Sequence, residues 1–505
     1  MKFNLITRKK RVIENFANAK AYSMTPEYEL YAAVVTTGLN GSYYESANSR
    51  LDRIIKLIQK CDPEFVAKLA IYARNNMYLR SIPLVLTVEL AKRTTGNSLV
   101  SSTVSKVVKR ADEITELLAY YQFANKRTGT KKLNKLSKQI QKGLVKSFNN
   151  FDEYQFAKYN KSTEIKLKDA LFLVHPKAKD EMQQVIFNKI AKDELATPYT
   201  WETELSKLGQ TQFVNSFEKS RAIKRKWEEL IASKRLGYMA LMRNLRNILE
   251  ANVSSSTIEM VCLNLSNENA VKKAKQMPFR FLAAYRELQR VNSQYTSAVL
   301  NALEIATMHS AKNIKGFSYS TRVVIACDVS GSMQQPISPK SKVLLYDIGL
   351  MLGMLMHSQC KNVTAGMFGN TWKTINMPQQ SVLSNVQEFY RREGEVGYST
   401  NGYRVIESLI AKNQVMDKVM LFTDVQMWNS NNTHHTFAKS WANYKRIAPN
   451  AKLYLFDLAG YGQQPINVQK NDVYLMAGWS DKVFDMLHAL EHSNSAITEI
   501  NKINV

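Results

Sequence analysis

The chain has 505 residues, 45% of them apolar, which is enough for a large core and for more than one domain. No apolar run approaches the roughly 20 residues that span a bilayer, and the basic start MKFNLITRKKR leads into no apolar stretch of the secretory type. The formal net charge is +26: residues 321–505 carry 17 Lys+Arg against 14 Asp+Glu, whereas residues 1–320 carry 52 against 29. An excess so one-sided points the first part of the chain toward a polyanion, with a merely solubilising surface as the weaker reading.

Cys61, Cys262, Cys327 and Cys360 show no paired spacing, which fits a reducing cytoplasm better than a disulfide scaffold. The seven histidines and four cysteines show no paired spacing of the kind that holds a structural zinc, which argues against zinc.

Residues 25–320 read as one helix after another. Thr25-Pro26 and Asp62-Pro63 are helix starts, with Pro at the first helical position. Tyr28, Tyr31, Ala32 and Val35 follow helical spacing, as do Leu51, Ile54, Ile55 and Ile58. Ser81-Ile82-Pro83 opens a further helix. Helices joined by short polar turns describe stacked helix pairs of the solenoid kind, although no exact repeat is present and a compact non-repeating helical domain stays open.

Residues 126–146 read KRTGTKKLNKLSKQIQKGLVK. The spacing predicts one helix with Leu133, Leu136, Ile140 and Leu144 on one face. Lys131, Lys132, Lys135, Lys138, Lys142 and Lys146 fill much of the remainder, and no acidic residue accompanies them. A charge run is usually a solvated face, but cations alone are what a phosphate-contacting face needs. Arg221–Trp227 sets an aromatic beside cations, which suits single-stranded nucleic acid and equally a buried Trp. Met239–Leu249 reads as one amphipathic helix whose Met and Leu side chains are core. Pro278 breaks the basic helical pair Lys272–Arg290, and the polar linker Asn313–Ser320 sets a domain boundary at 320.

After that linker, strand candidates Arg322–Cys327, Asn362–Phe368, Lys418–Thr423, Ala451–Leu458 and Asp472–Met476 alternate with helical stretches at Ser341–Ser358, Tyr403–Lys412, Thr436–Arg446 and Asp481–Glu491. This predicts a mainly parallel, doubly wound α/β domain. Its first strand ends in Asp328-Val329-Ser330-Gly331-Ser332, and oxygen donors at a strand's carboxyl end are where such sheets hold ligands. Lys418–Thr423 ends in Asp424, and the loop between the two strands offers Thr400. Two carboxylates and three hydroxyls compose an oxygen shell for Mg²⁺ or Mn²⁺, with water completing it. Helix capping by polar strand ends is the plain alternative. A metal phosphoesterase wants a more carboxylate-rich site, and no nucleophile–base pair stands near Asp328, so catalysis is not expected.

Asp328, Ser330, Ser332, Thr400 and Asp424 together resemble the metal-ion-dependent adhesion site of the von Willebrand factor A domain. Arg74–Pro83 (RNNMYLRSIP), Met239–Leu245 (MALMRNL) and Gly129–Leu133 resemble the TROVE module. The order, covering roughly residues 20–500, is similar to that of the Ro autoantigen family of bacterial or phage type. The resemblance implies residues 1–320 as a ring-like module of HEAT-type helical repeats and residues 321–505 as the A domain that closes it. It further implies structured, Y-like RNA on the basic outer surface and single-stranded ends of misfolded non-coding RNA in the ring. A nuclease or other protein could then offer an acidic residue to the metal. Lys158 and His175 match RNA-contacting positions of the family; a family arginine is Ser162 here, with Lys161 as its substitute, and Arg243 lies in the second motif. The competing reading is a metal-dependent protein-interaction adaptor whose helical module docks proteins.

Overall fold

The computed structural model describes residues 12–16, 18–37, 39, 44–126, 136–160, 162–311, 320–338, 341–427, 436–467, 472–480, 483–484, 487 and 496–505. The chain divides into two compact units, residues 1–57 with 311–499 and residues 58–310 with 500–505. The division falls between residues 310 and 311, near the expected boundary at 320, but the first 57 residues belong with the sheet.

In the helical unit, Asp62 caps the helix Pro63–Asn75 by accepting the N–H groups of Glu64 at 2.7 Å and Phe65 at 3.3 Å. That helix buries Phe65, Val66, Leu69, Ala70 and Tyr72 against the helices Ser81–Arg93 and Leu99–Val107. Leu99–Val107 in turn packs on Lys138–Phe148, where Gly143 permits the approach. A Cβ there would lie 2.5 Å from Val104 Cβ and 2.8 Å from the Ser101 carbonyl. Gly143→Ala should therefore destabilise the unit by about 1–3 kcal/mol through overpacking; an unchanged melting temperature would refute this account of the packing.

Two expected helices differ in their bounds. The helix expected around the 126–146 basic run begins at Lys138, with Leu136 outside it, while Leu133 lies outside the described residues. Met239–Leu249 is two helices, Tyr238–Arg243 and Leu245–Glu250. The break is at Asn244, whose side-chain amide donates to the Ala240 carbonyl at 2.9 Å and competes with the helical ladder.

The other unit holds a six-stranded sheet. Its strands are β3 (Arg322–Asp328), β4 (Asn362–Phe368), β5 (Trp372–Thr374), β6 (Lys418–Thr423), β7 (Lys452–Asp457) and β9 (Val473–Ala477), in the spatial order β5-β4-β3-β6-β7-β9. All neighbours are parallel except the edge strand β5, which is antiparallel to β4. Strands buried on both faces need helices on both. Val324, Ala326, Val419 and Leu421 share a core with Ile406, Leu409, Trp441 and Tyr444 from the helices Tyr403–Ala411 and Phe437–Ile447. On the other face, Gly349 and Gly353 let the helix Leu345–Gln359 press against Ile325, Cys327, Phe422 and Leu458. The helix Leu383–Arg392 and strand β5 were not anticipated, and the helix expected at Asp481–Glu491 lies almost wholly outside the described residues.

The N-terminal segment adds a small sheet, β1 (Val12–Glu14) and β2 (Lys20–Ser23) with β8 (Gln463–Gln464). The helix Pro26–Val35 buries Leu30 through Val35, and Tyr31 donates its hydroxyl to the Ala477 carbonyl at 3.1 Å. Arg50 and Arg53 donate to the carbonyls of Ala459 and Gly460, just beyond β7. An early helix thus ends up on the carboxyl ends of the late strands.

Candidate metal centre and nucleic-acid interface

Strand order decides where ligands can gather. From β3 the chain crosses to β4 on one side and returns to β6 on the other, so the switch point lies between β3 and β6. Asp328 ends β3 and Asp424 follows β6, which brings both carboxylates to this crevice. Each is fully buried, at 1% and 0% exposure. Ser330 and Ser332 sit in the turn that follows, Oγ to Oγ 3.3 Å, also buried. The Ser330 N–H donates to Asp328 Oδ1 at 2.9 Å, and the Thr423 hydroxyl to Asp328 Oδ2 at 2.5 Å.

Thr400 is delivered by a clamped loop. Gly331 donates its N–H to the Tyr398 carbonyl at 3.0 Å, and Asn401 donates to the Gly369 carbonyl at 3.0 Å. Gly369 is required because a Cβ there would lie 1.9 Å from the Gly397 carbonyl oxygen. Thr400 is 8% exposed at this point, before the helix Tyr403–Ala411.

The electrostatics of the pair identify what it needs. Burial pushes the Asp328 carboxyl up to about 7, the neighbouring Asp424 charge adds to this, and the hydroxyls of Thr423 and Ser330 oppose it. Asp424 is raised too, first by burial, with the Ser332 hydroxyl and the Gln426 N–H pulling the other way. One Asp424 oxygen, Oδ2, is buried without a hydrogen-bond partner. Two buried carboxylates with an orphaned oxygen and adjacent hydroxyls match the donor set of a hard divalent cation. Among the described residues no three His, Cys, Asp or Glu side chains converge, so the serine and threonine hydroxyls would be needed to fill a shell.

The expected RNA-contacting residues are distributed over the helical unit. Lys158 is exposed at the end of the helix Glu153–Tyr159, its Nζ 5.5 Å from the Tyr154 ring and 5.8 Å from the Tyr159 ring. His175 is exposed in a left-handed conformation, φ 48°, capping the helix Leu167–Val174. Lys138 and Lys142 are exposed on the helix whose other face buries Ile140 and Leu144. Lys131, Lys132, Lys135 and Lys161 lie outside the described residues. Arg243 is exposed and stands beside Arg280, whose guanidinium falls below its ordinary value through partial desolvation and the charges of Arg243 and Arg80. Neither Arg243 nor Arg280 has a carboxylate partner among the described residues. Trp227 is buried and packs on Trp201 at 6.3 Å between ring centroids, which removes it from base stacking.

Sequence reading missed the support beneath these cations. Arg74 donates to both oxygens of fully buried Glu113, at 2.8 and 3.1 Å, and Arg80 reaches the same carboxylate at 3.4 Å. Glu113 also accepts the backbone N–H groups of Lys109 and Arg110 at 2.8 and 3.1 Å. The signal available was Arg74 on the apolar helix Pro63–Asn75, where a largely buried guanidinium, 11% exposed, is obliged to have an acidic partner.

A stacked-helix module joined to a doubly wound sheet with an Asp-x-Ser-x-Ser turn at its switch point defines a helical module with a von Willebrand A-type domain. A family model described as the TROVE domain matches residues 31–196 and 189–328, and the chain belongs to that family. It is 24% identical to telomerase protein component 1 of Rattus norvegicus over 331 residues, half of this chain and 12% of that relative. Identity to the Mus musculus telomerase protein component 1 is 37% over 103 residues, 20% of this chain and 4% of the relative. The chain therefore spans only a small part of the curated relatives it matches. The crystal structure of Deinococcus radiodurans Ro (RSR) protein shares its fold, with a TM-score of 0.58 over 91% of this chain and 98% of that one at 18% identity.

Proposed function

We propose that this protein acts by binding RNA and not by catalysis, holding structured, Y-like non-coding RNA and the single-stranded ends of misfolded RNA for quality control in the cytoplasm or presentation to a nuclease. Family membership supports the RNA-binding class. The observation that carries the reading is the placement of charge: 52 Lys+Arg against 29 Asp+Glu before residue 321, with Lys138, Lys142, Lys158 and Arg243 exposed. Exposed cations bind phosphate by displacing condensed counterions, so affinity falls with salt. His175 and neighbouring aromatics suit unpaired nucleotides.

Asp328, Ser330, Ser332, Thr400 and Asp424 would hold Mg²⁺, or Mn²⁺ in its place. When bound, the cation supplies a coordination position for an acidic side chain of a protein partner. This chain's own contribution is to hold the two carboxylates and three hydroxyls buried on three separate segments at the carboxyl ends of β3 and β6, so that little ordering remains for binding. Among the described residues no helix is long and apolar enough to cross a membrane.

A gel shift with an RNA carrying a single-stranded tail tests this. Binding should weaken with salt, and replacing Lys138, Lys142 and Lys158 together by Ala should lower the slope of log affinity against log salt by roughly 2–3, about one for each phosphate left without its lysine. Absence of any shift at low salt would sink the RNA reading and leave the adaptor. Asp328→Ala should leave RNA affinity intact if the two units have separate jobs.

A further inference from the structure

Unpartnered polar atoms gather at the carboxyl ends of β6 and β7. Asp424 Oδ2, Gln426 Nε2 and Asp457 Oδ2 are all buried there without a hydrogen-bond partner. Asp424 belongs to the metal centre. Asp457, the last residue of β7 and fully buried, is not one of the residues proposed above to hold the cation.

Strand register sets its position. Asp457 is the partner of Thr423 across β6 and β7, and Thr423 donates its hydroxyl to Asp328 Oδ2. Register partners send their side chains to the same face of a sheet, with neighbouring strands about 4.8 Å apart. Asp457 therefore flanks the hydroxyl that holds Asp328. The Asp424 charge also reaches it. Burial raises the Asp457 carboxyl to about 6, the N–H groups of Gly460 and Ala459 oppose this, and the Asp424 charge adds to it. Yet among the described residues no three acidic side chains converge as ligands of one ion. Asp457 is thus close to the centre but outside direct ligation.

The carboxylate is fixed from its other side. Its Oδ1 accepts the N–H groups of Ala459 at 3.0 Å and Gly460 at 2.7 Å. The carbonyls of those two residues are held in turn by Arg50 and Arg53. Arg50 spends its Nη2 on the Ala459 carbonyl and the Thr36 hydroxyl, and no cationic side chain pairs with Asp457 among the described residues. A buried carboxylate with one bare oxygen is costly, so Oδ2 calls for a donor small enough to enter a closed crevice. Water is that donor. A water that donates to a carboxylate also turns its lone pairs the other way, toward a cation, which is how carboxylates outside the ligand shell strengthen a metal site.

We propose that Asp457 is a positioning residue of the metal centre, its Oδ2 accepting a hydrogen bond from the water that completes the cation's shell beside Asp424. The proposal rests on the metal-binding reading above and adds to it a residue outside the shell.

The test titrates the full chain with Mn²⁺ and reads the free ion by electron paramagnetic resonance. In Asp457→Asn the amide oxygen can keep the N–H groups of Ala459 and Gly460, while an NH2 group takes the place of Oδ2. Asp457→Ser, whose hydroxyl can accept the same N–H groups, removes Oδ2 and is the second variant. Both should bind Mn²⁺ about tenfold more weakly than the wild type, the lower end of the loss when an outer partner of a metal site is removed. A merely structural role would move the melting temperature in chelator and leave the Mn²⁺ dissociation constant where it was. Equal affinity in the wild type and the variants therefore overturns the role of Asp457 while the metal reading stands. A loss as complete as that of Asp424→Asn would make Asp457 a direct ligand and overturn the water-mediated role. If the wild type binds no Mn²⁺, both readings are overturned.

Discussion

Mg²⁺ added to the metal-free protein at pH 8 is expected to raise the melting temperature of the sheet-containing unit by roughly 5–10 °C, and Asp424→Asn is expected to abolish the response. A ligand at about a hundred times its dissociation constant adds about 2.7 kcal/mol, and a unit of this size shifts by about 2–4 °C per kcal/mol. The direction comes from the buried pair. Burial and the Asp424 charge hold Asp328 at about 7 against an ordinary 3.8. A carboxyl raised in the folded state binds a proton that the unfolded chain has already released. The cost is therefore absent below about pH 4, grows as pH rises from about 4 to 7, and is complete above 7, on the order of several kcal/mol in metal-free buffer.

A cation cancels this cost, so the Mg²⁺ increment should be larger at pH 8 than at pH 5. Asp424→Asn removes the like charge and keeps the shape, so without metal at pH 8 the variant should be more stable than the wild type. Thermal melts with chelator or Mg²⁺ from pH 5 to 8 decide the matter. An equal Mg²⁺ increment in Asp424→Asn, or none in the wild type at pH 8, would remove the metal from this site.

The residues of that site were legible because strand ends are. Val323–Cys327 and Val419–Phe422 are apolar runs that can only be buried strands, and the first polar residues after them must lie at the sheet's carboxyl edge. What the chain does not advertise is how they are held. The Thr423 hydroxyl on Asp328, the Gly331–Tyr398 hydrogen bond and the close approach of Gly369 to Gly397 all join segments distant in sequence. The small sheet of β1, β2 and β8 escaped for a related reason. Strands of two to four residues carry almost no periodicity, and β8 lies over 400 positions from its partner.

The unit to which an early helix belongs is equally hidden. Pro26–Val35 is apolar enough to be core, but periodicity reports a face and not which core that face joins. Tyr31 at the end of β9 and Arg50 beyond β7 assign it. By contrast the lysines at 138, 142 and 146 could be placed on an exposed face from spacing alone, because Ile140 and Leu144 had to point inward.

Glu113→Ala should be the most damaging single change in the helical unit, with a loss of about 3–5 kcal/mol. The carboxylate is fully buried and collects Arg74 through two hydrogen bonds, Arg80 through one, and the N–H groups of Lys109 and Arg110. Removing it strands the Arg74 guanidinium, only 11% exposed, and opens the turn that starts the helix Asp112–Ala124. The surface pair Lys68–Glu64, with Glu64 63% exposed, is the natural comparison, and Glu64→Ala should cost under about 1 kcal/mol because water replaces the partner. Urea unfolding followed by helical circular dichroism measures both. The network extends further, because Arg80 also bonds Asp112, which in turn holds Arg110. If Glu113→Ala melts like Glu64→Ala, the network is ornamental, and the two arginines of RNNMYLR must owe their positions to something other than this carboxylate.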